Sequence, residues 1–403
     1  MSDEGKLLSA VLNDKQIHVL LQANVGSVLK THVDIWNYIW EHYDKYRSVP
    51  SVNIVTEKFP DFDYYKETEG TKYHLDEVKA KYLDDGVRTI LRNAATFVQD
   101  GKAPAALDGL IANAVKLRHM SSPVRDIDVA DADSAVSHME QVIELRDTGS
   151  LGIKLGLPSF DAALPAGIYP GHFGVLLAFP GIGKSWVMAF MAVKAWRDGK
   201  TPMIFSLEMT EEEVRDRIYT IIGQGYFSHR KLAGGYVDID DFKRWHKKTF
   251  EGKPPIHIVA ADSGAVSPAV VQGKIDQYRP DVVFLDYLNL MTPNDKFDGE
   301  TQKMKQLSTQ LKTLSKSQRI AIVAISSATP DGLTDMNSAP QLAQVSWSKQ
   351  LSYDADWLVA LGRQPNSDVM EFVMRKNRHG ILCEFYMQVD FDKGIFIYKG
   401  IDP

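Results

Sequence analysis

The segment GVLLAFPGIGKS, Gly174–Ser185, passes from an apolar run into a glycine-rich turn. The run is apolar without interruption through Phe179, as in a strand buried on both faces of a parallel sheet. The turn Pro180–Ser185 follows, and apolar residues with helical spacing begin directly after it, namely Trp186, Val187, Phe190 and Met191. A strand, a tight turn and a helix in this order predict a phosphate-binding loop.

The residue types of the turn suit a triphosphate. Gly181 and Gly183 let backbone N–H groups curl around phosphate oxygens, and the helix that follows adds its positive N-terminal end. Lys184 supplies a charge for the β- and γ-phosphates, and Ser185 a hydroxyl for Mg²⁺. Ala178 stands where the motif G-x-x-x-x-G-K-[ST] has its first glycine, and alanine is small enough to keep the prediction. We therefore predict an ATP–Mg²⁺ site at Pro180, Gly181, Ile182, Gly183, Lys184, Ser185 and Trp186.

Composition limits the class of protein. The 403 residues, 44% hydrophobic and 24% charged, are ordinary for a globular chain of two domains. The chain has no apolar run of membrane-spanning length and starts with a polar segment. The single cysteine, Cys383, fits a reducing compartment, and we expect a cytoplasmic location with no membrane contact. The net charge of −6 restricts any nucleic-acid binding to a local patch.

Changes of pattern divide the chain into a helical N-terminal domain (1–118), a linker (119–150) and an α/β domain (151–403). Within the linker, Ala135–Arg146 has the spacing of an amphipathic helix. Such a helix needs a partner surface for its apolar stripe. The sequence leaves open whether it folds back on its own domain or docks on a neighbouring subunit.

Strands and helices alternate from Gly156 onward, which indicates a mainly parallel sheet with helices around it. The last strands are closely spaced and alternate in polarity, so we expect an antiparallel meander at the end. The strands are predicted near 174–179, 202–207, 256–260, 282–285, 320–325, 357–361, 371–374, 382–389 and 395–398.

Two carboxylates end predicted strands. Asp286 closes the apolar run VVFLD, and at the carboxyl edge of the sheet it can hold Mg²⁺ opposite Ser185. Glu208 lies at the tip of another buried strand, outside the capping box Thr210–Glu213 that starts the next helix. It can orient and polarise an attacking water beside the γ-phosphate. The alternative for Glu208 is a solvated acid at a strand end.

Two runs of cations stand out. Arg375–Gly380 follows a late strand and is either a solvated hairpin or a turn that projects Lys376 and Arg378 at a phosphate. Because these cations lie far along the chain from the phosphate loop, they are candidates to act on a neighbouring subunit's nucleotide. The run Lys243–Lys248 is the most basic, and its helical spacing favours a solvated face over a DNA contact.

Taken together, these residues resemble the DnaB-type replicative helicases, whose motor is a RecA-like ATPase. The resemblance covers about 156–394 and rests on ordered motifs: Pro180–Ser185, Ser206–Met209, Leu285–Leu288, Asp354–Asp356 and Lys376–Gly380. It implies that Glu208 is the catalytic base. It further implies that Lys376 and Arg378 reach the ATP of the adjacent subunit in a homo-hexameric ring. Single-stranded DNA in a central channel, 5′ to 3′ movement, and a primase and a helicase loader as partners are implied as well.

Two departures from that family are visible. The family has Ser-Gln after the fourth core strand, where the glutamine senses the γ-phosphate, and this chain has Ser326 and Ser327. The family's DNA-contacting loop before Asp-Ala-Asp has an arginine and a glycine, which are replaced here by the sequence Ser346-Trp347-Ser348-Lys349. Lys349 is expected to contact phosphate beside Ser346, and Trp347 either stacks on a base or packs against its own domain.

The sequence therefore predicts an ATP-driven hexameric DNA helicase. Two other classes share the same core: a recombinase-like filament ATPase, and a loader-type ATPase that remodels a partner protein. The helical N-terminal part and the amphipathic linker helix favour a ring.

Overall fold

The computed structural model describes residues 2–23, 25–66, 69–120, 128–164, 166–329, 335–344 and 349–401. The chain divides into two compact units, Met1–Asp131 and Ala132–Pro403. The domain limits expected from the sequence, 1–118, 119–150 and 151–403, stay a prediction. None of the described helices combines the length and the apolar character that crossing a membrane requires.

The first unit is helical. Its helices are α1 (Asp3–Asp14), α2 (Ile17–Gln22), α3 (Val33–Tyr46), α4 (Val52–Lys58), α5 (Thr71–Gln99) and α6 (Ala103–Met120). The helix α1 begins where the Ser2 hydroxyl accepts a hydrogen bond from the backbone N–H of Gly5 at 2.9 Å. Leucine and valine one turn apart on α1 then meet α3 and α5 in one apolar core, which contains Leu7, Leu8, Val11, Leu12, Trp36, Ile39, Leu75 and Val78.

A glycine turn separates the last two helices of this unit. Gly101 adopts a φ of 73°, in the left-handed region that favours glycine, and separates α5 from α6. The two helices pack on each other after this turn. The all-helical character of this part of the chain is confirmed.

The second unit holds the α/β layers. Its helices are α7 (Ala132–Asp147), α8 (Pro158–Ala163), α9 (Lys184–Arg197), α10 (Glu211–Gly223), α11 (His229–Ala233), α12 (Ile239–Phe250), α13 (Pro268–Tyr278), α14 (Gly299–Gln318) and α15 (Lys349–Asp354). Its strands are β1 (Phe173–Ala178), β2 (Pro202–Ser206), β3 (His257–Ala260), β4 (Val282–Asp286), β5 (Ala321–Ser327), β6 (Trp357–Gly362), β7 (Val369–Asn377), β8 (Glu384–Asp390) and β9 (Ile395–Gly400).

These strands form one sheet in the order β3-β2-β4-β5-β1-β6-β7-β8-β9. The pairs from β3 to β6 are parallel, and the pairs from β6 to β9 are antiparallel. Parallel strands need helical crossovers that cover both faces, which explains why every residue of β1, β2 and β4 is buried. The predicted α/β class, the mainly parallel sheet and the antiparallel meander at its end are confirmed.

The register of the parallel strands decides where the functional residues lie. Ala178 of β1 pairs with Ser327 of β5, and Ser206 of β2 pairs with Asp286 of β4. The carboxyl ends of these four strands therefore meet at one edge of the sheet, where ligands bind in open α/β folds.

Candidate functional site

The phosphate loop, Pro180–Ser185, joins β1 to α9 at this carboxyl edge. Gly181 has a φ of 80°, and Gly183, which precedes the first residue of α9, has a φ of 110°. A Cβ on Gly183 would lie 2.6 Å from the Phe391 ring, so only glycine fits there. The loop thus lies at the N-terminal end of α9, where backbone N–H groups can bind an anion, and the predicted phosphate contacts stay a prediction.

A cavity of about 370 Å³ opens over this loop. It is lined by Pro180, Gly181, Gly183, Lys184, Ser185, Trp186, Glu208, Arg217, Tyr287, Ser327, Arg363 and Phe391. The side chain of Ile182 is instead buried in the hydrophobic core, so only its backbone can serve a ligand. The cavity therefore brings together the residues that the sequence placed at the phosphates and several that it did not.

Lys184 lies within the loop. Its Nζ donates hydrogen bonds to the carbonyl oxygens of Phe179 at 2.9 Å and of Ala178 at 3.3 Å. Burial lowers the pKa of Lys184, while Asp286 and Glu208 raise it. A buried ammonium of this kind gains from an anionic ligand, since the ligand would restore the favourable surroundings that water supplies outside.

Ser185 and Asp286 are the pair that fits a divalent cation. Asp286 ends β4, is almost completely buried, and lies near the Ser185 hydroxyl. Burial and the neighbouring Glu208 raise the pKa of Asp286, while the Ser185 hydroxyl, Arg217 and Lys184 lower it. A buried carboxylate beside a hydroxyl is a donor set that Mg²⁺ accepts. In the part of the chain that the structure describes, no cluster of three or more His, Cys, Asp or Glu side chains forms a separate metal site.

Glu208 follows β2 and faces the same cavity. It is exposed, and the capping box of Thr210 and Glu213 that starts α10 leaves its carboxylate uninvolved. The backbone N–H of Leu207, just before it, donates to the Asp286 carbonyl at 2.8 Å and fixes this strand end beside β4. Glu208 thus lines a cavity that also contains Lys184, which is the placement expected of a residue that orients water.

Four cavity residues were not predicted from the sequence: Arg217, Tyr287, Arg363 and Phe391. Arg217 lies on α10 with its guanidinium 5.2 Å from the Trp186 ring centre, and its buried Nε has no hydrogen-bond partner among the described residues. Burial lowers the pKa of Arg217. An orphaned donor of this kind suits a phosphate oxygen. The sequence feature that could have indicated Arg217 is its position on the apolar stripe of α10, three residues after Val214.

Arg363 directly follows β6, and its guanidinium lies 4.8 Å from the ring centre of Phe391. Phe391 itself stacks on Trp186 at 5.3 Å with an angle of 10° between the rings. Arg363 lies at the end of a strand that neighbours β1, and this position could have indicated that it belongs to the site. No sequence pattern indicated the same for Phe391, which follows β8. The two residues give the mouth of the cavity flat surfaces that suit a nucleobase.

The cation pair, Lys376 and Arg378, lies elsewhere. Asn377 pairs with Trp357 at the start of β6, while Gly362 at the end of β6 pairs with Glu371. The pair therefore sits at the amino edge of the parallel strands, opposite the phosphate loop. Since β1 is six residues long, the two edges are about 20 Å apart.

Both cations are held by their own chain. The Nζ of Lys376 donates to the carbonyls of Ser352 at 2.6 Å and Tyr353 at 2.9 Å. Arg378 donates to the Tyr353 carbonyl and to the Asp356 carboxylate, the latter at 3.4 Å. Burial and the neighbouring Arg378 lower the pKa of Lys376 to about 8.

The roles predicted for the remaining residues stay predictions, and the structure gives the positions of two of these residues. Ser327, expected to sense the γ-phosphate, ends β5 and lines the cavity. Lys349, expected to contact DNA, is the first residue of α15. Ser346 and Trp347 lie outside the described residues, so their DNA contacts stay a prediction.

The sequence of the second unit is similar to that of known proteins. The family model of the DnaB-like helicase C terminal domain matches residues 152–398. The Replicative DNA helicase DnaB of Treponema pallidum (strain Nichols) is 29% identical over 249 residues, which cover 60% of this chain and 56% of that protein. The protein of the same name from Buchnera aphidicola subsp. Schizaphis graminum (strain Sg) is 24% identical over 261 residues, 62% of this chain and 56% of that protein. The chain spans about half the length of the curated relatives it matches.

Two solved structures have similar folds. One, an ATPase domain by its title, has a TM-score of 0.58 at 23% identity and covers 67% of this chain and 99% of that one. The other is titled "The Structure Of A DnaB-Like Replicative Helicase And Its Interactions With Primase"; it has a TM-score of 0.65 at 18% identity and covers 98% of both chains. At these identities the likeness concerns the fold, including the RecA-like arrangement of the ATPase sheet.

Proposed function

The chain belongs to the DnaB-like helicase C terminal domain family, and from this premise we propose that it is an ATP-driven replicative DNA helicase that works as a homo-hexameric ring. The observation that carries the proposal is the division of the site between two edges of the sheet. The cavity over the phosphate loop has the groups that bind a triphosphate, while Lys376 and Arg378 lie at the opposite edge. In a ring with head-to-tail contacts, the edge of one subunit faces the cavity of the next.

Several residues of the cavity have a part in the proposed reaction. Lys184 exchanges its two carbonyl partners for phosphate oxygens, and Arg217 offers its unpaired Nε to the same group. Glu208 orients the attacking water. The base of the nucleotide packs against the flat faces of the Arg363 guanidinium and the Phe391 ring.

Mg²⁺, held by Ser185 and through water by Asp286, would neutralise charge on the β- and γ-phosphates. The effect of the Ser185 hydroxyl on the pKa of Asp286 supports this pairing. Arg378 from the neighbouring subunit then completes the stabilisation of the charge that develops on the transferred phosphoryl group, and Lys376 supports it.

The helix α7 supports assembly into a ring. None of its described residues is buried, and Val136, Met139 and Ile143 form an exposed apolar stripe. A groove of about 550 Å³ lies between α10, α11 and α12, with an apolar floor that includes Leu232, Val237 and Phe242. Its lining also includes three basic residues, Arg215, Lys243 and Lys247, and one acid, Asp216, so the groove is basic on balance. The stripe of α7 is flanked by Glu140 and Glu144, so α7 matches this groove on a second copy in both polarity and charge.

A substitution in α7 tests this assembly. We expect Ile143→Asp to shift the protein from hexamers to smaller species in sedimentation velocity, because a charge on the stripe opposes burial in the groove. Leu145→Asp is the matched control, since Leu145 is equally exposed but lies on the opposite side of the helix from Val136 and Ile143. Hexamers of Ile143→Asp as stable as those of the unaltered protein would refute the docking of α7.

Single-stranded DNA is the proposed track, with a primase and a helicase loader as partners at the replication fork. Strand displacement on forked duplexes with either tail polarity tests the function itself. We expect ATP hydrolysis that single-stranded DNA accelerates, unwinding that depends on a 5′ tail, and a loss of at least about a hundredfold in both for Lys184→Ala. Lys194→Ala, on the exposed side of the same helix, should behave as the unaltered protein.

Other outcomes would favour the alternatives. Filaments on DNA in electron micrographs, without strand displacement, indicate a recombinase-like ATPase. Hydrolysis that DNA leaves unchanged but a partner protein accelerates indicates a loader-type ATPase.

A further inference from the structure

The short helix α15 (Lys349–Asp354) provides the carbonyl groups that hold the cation pair, Lys376 and Arg378. Its last carbonyls lack intrahelical partners, as at the end of any helix. Two of them, those of Ser352 and Tyr353, accept hydrogen bonds from Lys376 and Arg378. The position of the pair therefore depends on the position of α15.

Asp354 fastens α15 to the neighbouring helix α14. One carboxylate oxygen accepts hydrogen bonds from the Ser308 hydroxyl at 2.7 Å and the Thr309 hydroxyl at 3.2 Å, both on α14. The other oxygen accepts from the Gln350 side-chain amide at 2.9 Å, one turn earlier on α15. The motif Asp354–Asp356 thus has two separate tasks, because Asp356 instead pairs with Lys312 at 2.5 Å and with Arg378.

We propose that Asp354 is a positioning residue for the cation pair: by fastening α15 to α14 it fixes the two carbonyls on which Lys376 and Arg378 rest. The proposal rests on the proposed function and deepens it.

The test compares Asp354→Asn with the unaltered protein in the presence and absence of single-stranded DNA. The amide oxygen lacks the charge of the carboxylate oxygen, so it accepts the Ser308 and Thr309 hydroxyls more weakly and the attachment of α15 to α14 loosens. We expect the kcat of ATP hydrolysis to fall about tenfold both with and without DNA, because Arg378 acts on the chemical step in either case, while the KM for ATP and the Kd for single-stranded DNA stay within about twofold. Asp295→Asn is the matched control, since Asp295 also accepts a hydrogen bond from a side chain of α14, that of Gln310 at 3.2 Å, but lies before that helix rather than on α15.

A double variant separates positioning from a general loss of structure. If Asp354 acts through the pair, Asp354→Asn should add little to the loss that Lys376→Ala causes alone. Thr309→Val removes, at an exposed position, one of the two hydroxyls that hydrogen-bond to Asp354, and it should also lower the DNA-stimulated rate. This variant keeps the test usable if Asp354→Asn folds poorly.

An unchanged kcat, a loss of ATP or DNA affinity as large as the loss in kcat, or additive losses in the double variant would overturn the positioning role. An unaltered protein whose hydrolysis does not respond to single-stranded DNA would instead refute the proposed function. The two failures are therefore distinguishable in the same set of assays.

Discussion

Arg378→Ala is expected to lower the kcat of ATP hydrolysis on the order of a thousandfold, with a much smaller change in the KM for ATP. The guanidinium acts on charge that develops in the transition state, so its loss affects the chemical step more than ground-state binding. Steady-state hydrolysis by the assembled ring, with DNA present, measures both constants. Arg375→Ala is the control on the same strand, because Arg375 donates to the carbonyls of Ala339 and Pro340 rather than to α15.

Mixed rings test whether Arg378 acts on the neighbouring subunit. A subunit with Arg378→Ala keeps its phosphate loop, and a subunit with Lys184→Ala keeps its arginine. When equal amounts of the two variants assemble at random, about a quarter of the interfaces should combine an intact phosphate loop with an intact Arg378 and regain activity. The position of Arg378 at the far edge of its own sheet leads us to expect this recovery. Mixtures no more active than either variant alone would show that the arginine does not act between subunits.

Glu208→Gln is expected to lower kcat on the order of a thousandfold and to leave ATP binding nearly unchanged. The amide keeps the size of the side chain but cannot accept a proton from the attacking water. Single-turnover hydrolysis measures the chemical step, and equilibrium binding of a labelled nucleotide measures affinity. Glu211→Gln, three residues later in the first turn of α10, is the matched control.

Two results would contradict this role for Glu208. If nucleotide affinity falls as much as the rate, Glu208 contributes to binding rather than to the activation of water. If the rate falls less than about tenfold, the carboxylate is the solvated strand-end acid that the sequence also allowed.

Local sequence patterns account for much of the fold. Continuous apolar runs such as VVFLD predict strands buried on both faces, and β4 follows that run to Asp286. The phosphate loop could also be predicted, because its glycines, lysine and serine lie within six consecutive residues and its own backbone N–H groups would bind the phosphates. The family resemblance and the α/β class follow from these same segments.

Residues distant along the chain were harder to predict. Arg217, Arg363 and Phe391 join the cavity only because α10, β6 and the end of β8 converge on the carboxyl edge of the sheet. The identity of a residue does not reveal which strand ends lie near it in the folded protein, since that depends on strand order and register. Nothing in the sequence indicated that the carbonyls of Ser352 and Tyr353 hold the cation pair.

The sequence by itself determined the phosphate loop, the buried strands and the carboxylates at their ends, because each depends on neighbouring residues and on the pattern of burial they need. Only the tertiary structure decided that Lys376 and Arg378 lie at the edge of the sheet opposite the phosphate loop. The reason is that β7 runs antiparallel to β6, so its last residues return to the edge where the parallel strands begin. This reversal places the cation pair beyond the reach of its own cavity, and it is why a neighbouring subunit enters the proposed mechanism.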